Sequence, residues 1–159
     1  MLDDAPTRLL TAQDLQKSLM SGEQKKLLLD YVMPSVMDAI IDLAAAVDEA
    51  LADKVTLAFQ VNLCLEELVT NIIKYGLKES PTHPIHVQIY QSERYLEIYL
   101  KDDAPEFNPF IDAPVPDTKL DVEERPIGGL GIHFVKTLMD QAQAYYDGSG
   151  NLIVLLKQL

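Results

Sequence analysis

The strongest constraint on the fold is the helical periodicity of residues 55–75. At about 100° per residue, five of their apolar side chains fall on one stripe of a helix. Gly76 follows, and glycine commonly ends helices. The pattern predicts a helix that lies on a hydrophobic core through this stripe, which consists of Leu57, Val61, Leu65, Leu68 and Ile72.

Strands are predicted on both sides of this helix. Residues 85–90 and 95–100 alternate apolar and polar side chains with the period of a half-buried strand. Further strands are predicted at 26–32, 142–146 and 152–156. The last two enclose residues 147–151, whose composition is typical of a tight turn.

Two more helices and a short one complete the predicted elements. Residues 35–52 and 130–139 have helical patterns, and residues 11–20 could form a short helix. Ser35 and Asp38 open the first of these like a capping box with aspartate in place of glutamate. Together the elements predict an α+β fold, a two-layer sandwich with helices on one face of a mixed, mostly antiparallel sheet.

Composition narrows the class of protein. The chain has 159 residues, enough for one domain, which we assign to residues 25–159 after an N-terminal extension at 1–24. Its net charge of -12 argues against binding to nucleic acid or to an anionic membrane, because the long-range field repels phosphate polymers. The single cysteine, Cys64, leaves no disulfide framework. With no signal peptide and no apolar run of membrane-spanning length, we expect a cytoplasmic protein.

Glu67 and Asn71 lie one helical turn apart at the edge of the apolar stripe. The adjacent Glu66 points further toward solvent. Partial burial would raise the pKa of Glu67 and suit it to act as a base. The alternative is a solvated helix face that happens to carry an acid and an amide, because acidic faces are common.

A glycine-rich turn, Gly128-Gly129-Leu130-Gly131, opens the helix predicted at 130–139. Such a turn exposes backbone amides, and the helix that follows directs its N-terminal dipole to the same point, an arrangement suited to phosphate. A plain junction between a loop and a helix would have the same composition. The segment lacks the Gly-Lys-Ser/Thr of a Walker A loop and does not follow a strand as a Rossmann turn does.

Residues 103–127 form a long segment without periodicity between the strands and this turn. They hold five of the nine prolines. Long irregular segments inside compact domains are often functional lids, and we expect that role here.

Three motifs in this order resemble the GHKL ATPase superfamily. They are Glu-x-x-x-Asn with a glycine five residues later (Glu67, Asn71, Gly76), a strand ending in Asp102 before Phe107-Asn108-Pro109, and the Gly-Gly-Leu-Gly-Ile segment. The first and third are similar to those of small anti-sigma-factor serine kinases, and the resemblance covers about residues 25–157. It implies the ATP-binding fold of that superfamily, with residues 103–127 as the ATP lid.

The resemblance also implies roles for individual residues. Glu67 would be the general base, Asn71 a ligand of Mg²⁺, and Asp102 the acceptor of a hydrogen bond from the adenine amino group. Gly129 and Gly131 would bring backbone amides to the phosphates of ATP. The other residues expected to contact the nucleotide are Ala104, Phe107, Leu130 and Ile132, with Lys74 and Arg125 offsetting phosphate charge.

One position departs from the family. Ala104 stands where the family usually has glycine, two residues after the aspartate. A methyl group there would crowd the adenine, or restrict the backbone if the position needed a positive φ.

The function that the resemblance implies is that of a serine/threonine protein kinase that binds a sigma factor and phosphorylates the antagonist of this binding. A homodimer is a further possible assembly. The alternatives are a non-catalytic ATP-binding module that controls partner binding, and the ATPase piece of a larger machine. A histidine kinase is not expected, because residues 1–82 contain no histidine to accept a phosphoryl group.

Overall fold

The alternating segments pair into one mixed sheet in the computed structural model, which describes residues 8–9, 24–112 and 129–159. Within these residues the sheet has six strands in the order β1-β5-β6-β4-β3-β2. The two-residue β1 runs parallel to β5, and all other neighbours are antiparallel. The strands are β1 (Arg8–Leu9), β2 (Lys26–Met33), β3 (Ile85–Gln91), β4 (Tyr95–Asp102), β5 (Gln141–Tyr146) and β6 (Asn151–Gln158).

Helices cover one face of this sheet. The described helices are α1 (Ile40–Ala50), preceded by a 3₁₀ turn at Met37–Ala39, α2 (Val55–Asn71), the one-turn α3 (Pro109–Asp112) and α4 (Gly129–Leu138). The core lies between the helices and the sheet because each strand directs alternate apolar side chains to the same side. Fully buried members include Leu43, Val47, Leu65, Leu68, Val87, Ile89, Ile98, Leu100, Val135 and Leu155. The predicted α+β sandwich is confirmed.

The helical stripe predicted over 55–75 is buried as expected apart from Leu57, which is half-buried, but the helix does not continue regularly to Tyr75. It changes at Ile72–Gly76 to a π turn, in which Leu77 N donates to the carbonyl of Ile72. Gly76 does not provide the left-handed residue of a helix cap. The positive φ values fall on Lys78 and Glu79, at 50° and 63°.

The predicted capping box at Ser35 is wrong. The helical turn begins at Met37, and its N-terminal flanking residue Val36 makes no side-chain cap. Ser35 is buried, and its hydroxyl donates to the carbonyl of Ser80, 2.9 Å away, in the segment after the π turn. The serine therefore holds a distant loop instead of opening a helix, a contact that local sequence cannot reveal.

The described residues do not cover every predicted element. The helix predicted at 11–20 lies outside them, as does the predicted lid from residue 113 onward. The first part of that lid contains α3, whose start at Pro109 fits the preference of proline for the first turn of a helix. None of the helices described is long and apolar enough to cross a membrane.

Ser35→Ala tests the tertiary role of this serine. Losing its hydrogen bond to Ser80 should lower the free energy of unfolding by about 0.5–1.5 kcal/mol. Hydrogen exchange should accelerate at residues 77–82, because these lose their tether, and not at the start of α1. Ser149→Ala is the control, because the hydroxyl of Ser149 donates to Asp147 in an exposed turn. Faster exchange confined to residues 37–41 would instead support the capping role.

Candidate functional site

The acid of α2 and the glycine-rich start of α4 are in direct contact. The side chain of Glu67 lies against the backbone of Gly131, so closely that a Cβ at position 131 would overlap the Glu67 carboxylate. Only glycine permits this approach. Two of the three predicted motifs, distant in sequence, therefore meet at one point, and that point is in the first turn of α4.

Packing changes the acidity of Glu67. Burial raises its pKa above the ordinary value, the neighbouring Glu66 raises it further, and Lys74 lowers it. Its carboxylate takes no hydrogen bond from any residue that the structure describes. A carboxylate in this state gains stability on protonation, as a base needs to. The structure places Glu67 at the boundary of the core, with Glu66 exposed beside it, as the sequence predicts.

Asn71 is buried one turn further along α2. Its side-chain Nδ2 donates to the backbone carbonyl of Glu67 over 2.8 Å. Because that carbonyl can only accept, the bond fixes which end of the amide carries the nitrogen, and Oδ1 is left as the outward oxygen. An amide oxygen held in one orientation is a suitable ligand for a hard cation such as Mg²⁺.

Asp102 ends β4, and its two carboxylate oxygens differ. Oδ1 accepts from the backbone N–H of Ala104 at 2.9 Å and from Nδ2 of Asn151 at 3.0 Å. Oδ2 takes no hydrogen bond from the part of the chain that the structure describes. Burial raises the pKa of Asp102, and the two hydrogen bonds oppose that shift. The half-buried carboxylate thus keeps one oxygen for an external donor.

Asn151 holds the whole segment after Asp102 and was not predicted as a site residue. Besides Asp102, its Nδ2 lies within hydrogen-bonding distance of the carbonyls of Ala104 and Pro105, at 3.2 and 2.9 Å. Its Oδ1 accepts from the N–H of Phe107 at 2.9 Å. A signal was present in the sequence: position 151 shares the inward face of β6 with Ile153 and Leu155, where a polar residue is unusual.

Phe107 connects this segment to the end of α2. Its ring lies on Gly76, where an added Cβ would come within 2.9 Å of a ring carbon. Asn108 then caps α3, because its Oδ1 accepts from Phe110 N and its own N–H donates to Asp112. Asn108 Nδ2 is buried and has no hydrogen-bond partner among the residues that the structure describes. The second motif is therefore joined to the first through Phe107 and Gly76.

Ala104 does not produce the backbone strain that its replacement of glycine would cause at a positive φ. Among described residues other than glycine, only Lys78 and Glu79 have positive φ. The side chain of Ala104 is 2% exposed and belongs to the hydrophobic core. The departure from the family pattern thus leaves the hydrogen bond from its N–H to Asp102 intact.

The other residues predicted to contact the nucleotide differ in their surroundings. Gly129 and Leu130 form the start of α4, where the first backbone N–H groups of the helix have no partner within it. Ile132 is buried in the core, and Lys74 is half-buried and close enough to lower the pKa of Glu67. Arg125 lies outside the described residues.

The donor set fits a metal that is held mainly by phosphate. No group of three or more His, Cys, Asp or Glu side chains able to bind a metal occurs among the residues described. Asn71 would therefore supply one protein oxygen, and phosphate oxygens and water would complete the shell, as is usual for Mg²⁺ in nucleotide sites.

A cavity of about 670 Å³ lies at the opposite end of the sheet from Asp102. It is bordered by the start of β2, the β3–β4 turn and the loop before α2. Lysines and acids both line it, and none of the three motifs does: the lining residues are Gln24, Lys25, Lys26, Leu28, Ala50, Asp53, Lys54, Gln91, Ser92 and Glu93. The candidate site is defined by the converging motifs and not by this cavity.

Gly131→Ala tests the contact between α4 and Glu67. The added methyl group would displace the Glu67 carboxylate toward solvent, so its pKa should fall toward the ordinary value because burial is what raises it. Side-chain carboxyl NMR across a pH titration measures this shift. Thr137→Ala, an exposed position on the same helix, is the control. An unchanged Glu67 pKa in Gly131→Ala would show that the contact does not control its acidity.

Comparison with known proteins agrees with this arrangement. The model of the histidine kinase-like ATPase domain matches residues 32–157, most of the chain. Over 108 residues the chain is 29% identical to the serine-protein kinase RsbW of Listeria monocytogenes serovar 1/2a and 28% identical to RsbW of Listeria innocua serovar 6a. Each match covers 62% of this chain and 64% of the kinase, so the chain spans just under two thirds of the length of these relatives.

These matches confirm the resemblance that the three motifs indicate. The matched region includes Glu67 and Asn71 of α2, the end of β4 and the glycine-rich start of α4. The chain belongs to the histidine kinase-like ATPase domain family.

Proposed function

We propose that the chain is an ATP- and Mg²⁺-dependent serine/threonine protein kinase that acts as an anti-sigma regulatory factor. It would bind a sigma factor and phosphorylate the protein that antagonises this binding. The relatives at 28–29% identity are named serine-protein kinases, which supports the reaction class. The observation that carries the proposal is the contact of Glu67 with Gly131, because it puts a base with a raised pKa beside the start of a helix.

Four groups of this chain would hold the nucleotide. Asp102 Oδ2 would accept from the adenine amino group, while Asn151 and the N–H of Ala104 keep Oδ1 occupied. The free N–H groups at the start of α4, around Gly129 and Gly131, would bind phosphate oxygens with the help of the helix dipole. Lys74 and Arg125 would offset phosphate charge, and Phe107, Leu130 and Ile132 would contribute apolar contacts.

Bound ATP with its Mg²⁺, held through Asn71 Oδ1, would supply the phosphoryl group and neutralise charge as it develops. Glu67 would take the proton from the hydroxyl of the substrate serine as the serine oxygen forms its bond to phosphorus. The bond from phosphorus to the bridging oxygen of ADP breaks, and the proton remains on Glu67. Because burial raises its pKa, Glu67 holds this proton more readily than an exposed carboxylate would.

The lid and the domain boundaries belong to the same proposal. Residues 103–127 would close over the triphosphate and exclude water, and residues 25–159 would form the ATP-binding domain after an N-terminal extension. Asn151, by holding residues 102–107 with its hydrogen bonds, would fix the starting point of that lid. We propose a cytoplasmic location, as regulation of a sigma factor requires.

Asp102→Asn should weaken ATP binding without unfolding the protein. Ala104 N and Asn151 Nδ2 both need an acceptor, so the new amide should keep its oxygen at the Oδ1 position and present an N–H₂ group at the Oδ2 position. Losing the charge-assisted bond to adenine should cost about 1.5–3 kcal/mol, or about tenfold or more in affinity. Stability at neutral pH should not fall, because burial already disfavours the charged form of Asp102.

Inosine triphosphate makes this test specific, because it carries a carbonyl oxygen where ATP has the amino group. In the variant, the ratio of affinities for ATP and inosine triphosphate should shift toward inosine triphosphate, as measured by calorimetry. Asp103→Asn, at the neighbouring carboxylate that pairs with His83, should leave the ratio unchanged. Failure of the wild type to bind any adenine nucleotide would refute the site.

Glu67→Gln should separate catalysis from binding. The amide keeps the shape of the side chain but cannot act as a base, so phosphoryl transfer should fall by about 10²–10⁴-fold. ATP affinity should stay unchanged. In the wild type, the rate should rise with pH through the raised pKa of Glu67, because only the ionised form accepts a proton.

Glu66→Gln is the matched control, since Glu66 is adjacent and exposed. It keeps the base and should retain most of the transfer, with the pH profile moved to lower pH because the charge of Glu66 helps raise the pKa of Glu67. The assay measures transfer of radiolabelled phosphate from ATP to the serine of a cognate antagonist protein. Equal losses in the two variants would remove Glu67 from its proposed role. A wild type that binds ATP and partner but transfers no phosphate would instead be an ATP-binding regulatory module without catalysis.

A further inference from the structure

The solvent-facing side of α2 is unusually apolar for an exposed helix face. Val55, Phe59 and Leu63 are 77%, 63% and 38% exposed. They are spaced four residues apart, so they follow one another along the helix over about 12 Å and form a continuous surface, the apolar ridge. Burying such side chains in a core or interface normally stabilises a protein, which makes a ridge of this kind a candidate binding surface.

Apart from Lys54, which precedes Val55 and pairs with Asp53, the charges of the two helices around the ridge have one sign. The sequences of α1 and α2 contain no lysine or arginine. Glu66 is exposed on the same side of α2 as Phe59 and Leu63. On the other flank, Asn62 Nδ2 donates to Asp48 Oδ1 at 2.9 Å and fixes an acidic residue of α1 beside the ridge. The other exposed acids of α1 are Asp42 and Glu49.

This charge pattern identifies the kind of partner. A second copy that covered the ridge with its own ridge would bring acids against acids, which is unfavourable. An anionic membrane would be repelled for the same reason. A helix with an apolar stripe flanked by basic residues would bury Phe59 and pair its cations with Asp48 and Glu66.

We propose that the apolar ridge of α2 is a docking site for a basic amphipathic helix of a partner protein. Phe59, in the middle of the ridge, is the anchor, because large aromatic side chains at the centre of an interface contribute most of the binding energy. Opposite charge would accelerate association and select against acidic helices. Phe59 lies two turns before Glu67 and on a different side of the helix, so the surface does not depend on nucleotide binding.

The first experiment uses a designed peptide with the full-length protein. The probe is a helical peptide of about 16 residues, with leucines at helical spacing and lysines beside them. A scrambled peptide of identical composition keeps the charge but loses the apolar stripe, and a third peptide replaces every lysine with glutamate. NMR titrations should show the largest shifts at residues 55–66 with the first peptide. The other two should bind about tenfold more weakly or worse.

A substitution on the ridge then tests the anchor. Phe59→Ser should weaken binding of the first peptide about tenfold or more, without loss of stability, because the side chain is mostly exposed. Val32→Ser is the matched control, since Val32 is 61% exposed on β2, and it should have no effect. Sedimentation of both variants and the wild type shows whether the ridge also affects self-association.

Several results would overturn the proposal. Equal binding of the scrambled peptide, or NMR shifts spread over the acidic surface, would show that net charge alone accounts for the binding. Equal binding of the glutamate peptide would remove the charge selection. A wild-type dimer that dissociates in Phe59→Ser would assign the ridge to a second copy of the chain. Absence of binding of the first peptide at millimolar concentration would refute a basic amphipathic helix as the partner.

Discussion

The candidate site depends on the close approach of α4 to α2, which a glycine at position 131 makes possible. Without a side chain there, the Glu67 carboxylate packs directly on the main chain of the first turn of α4. The same helix packs on the hydrophobic core through Val135, which is fully buried, and Ile132, which is nearly so. One contact therefore sets the distance between the helices, partly buries the acid and places it beside the first turn of α4, whose first N–H groups have no partner within the helix. Asn71 is oriented within α2 itself, because its side chain is bound to the backbone carbonyl of Glu67.

Two carboxylates in one site have different surroundings, and the differences fit different roles. Burial raises the pKa of both Glu67 and Asp102. Asp102 accepts two hydrogen bonds that favour its charged form, so it is held as an oriented acceptor. Glu67 accepts none from the described residues, and among these residues only the charge of Lys74 opposes its protonation. An oriented acceptor suits recognition of a base, and a carboxylate ready to take a proton suits catalysis.

Periodicity was sufficient to predict the layers of the fold. The alternation in β3 and β4, the stripe on α2 and the turn at Asp147 depend on neighbours along the chain, and each is found where the pattern predicted it. The edge position of Glu67 followed from the same geometry. Contacts between distant segments were missed: Ser35 bonds a loop 45 residues away, and Asn151 bonds Asp102 on the neighbouring strand β4. The π turn at Ile72–Gly76 was also missed, and so was the contact of Phe107 with Gly76 at its end, which joins segments distant in sequence.

The pairing of β1 with β5 has a consequence for how the sheet ends. β5 would otherwise be an open edge strand, with backbone N–H and C=O groups ready to pair with a strand of any other chain. Arg8 and Leu9 pair with Tyr145 and Tyr146, so these two residues cover the last third of β5. Because sheet edges join most readily through long, flat pairings, this parallel contact shortens the stretch on which another strand could add. Removing Arg8 and Leu9 would therefore open this end of β5 to pairing with a strand of another chain.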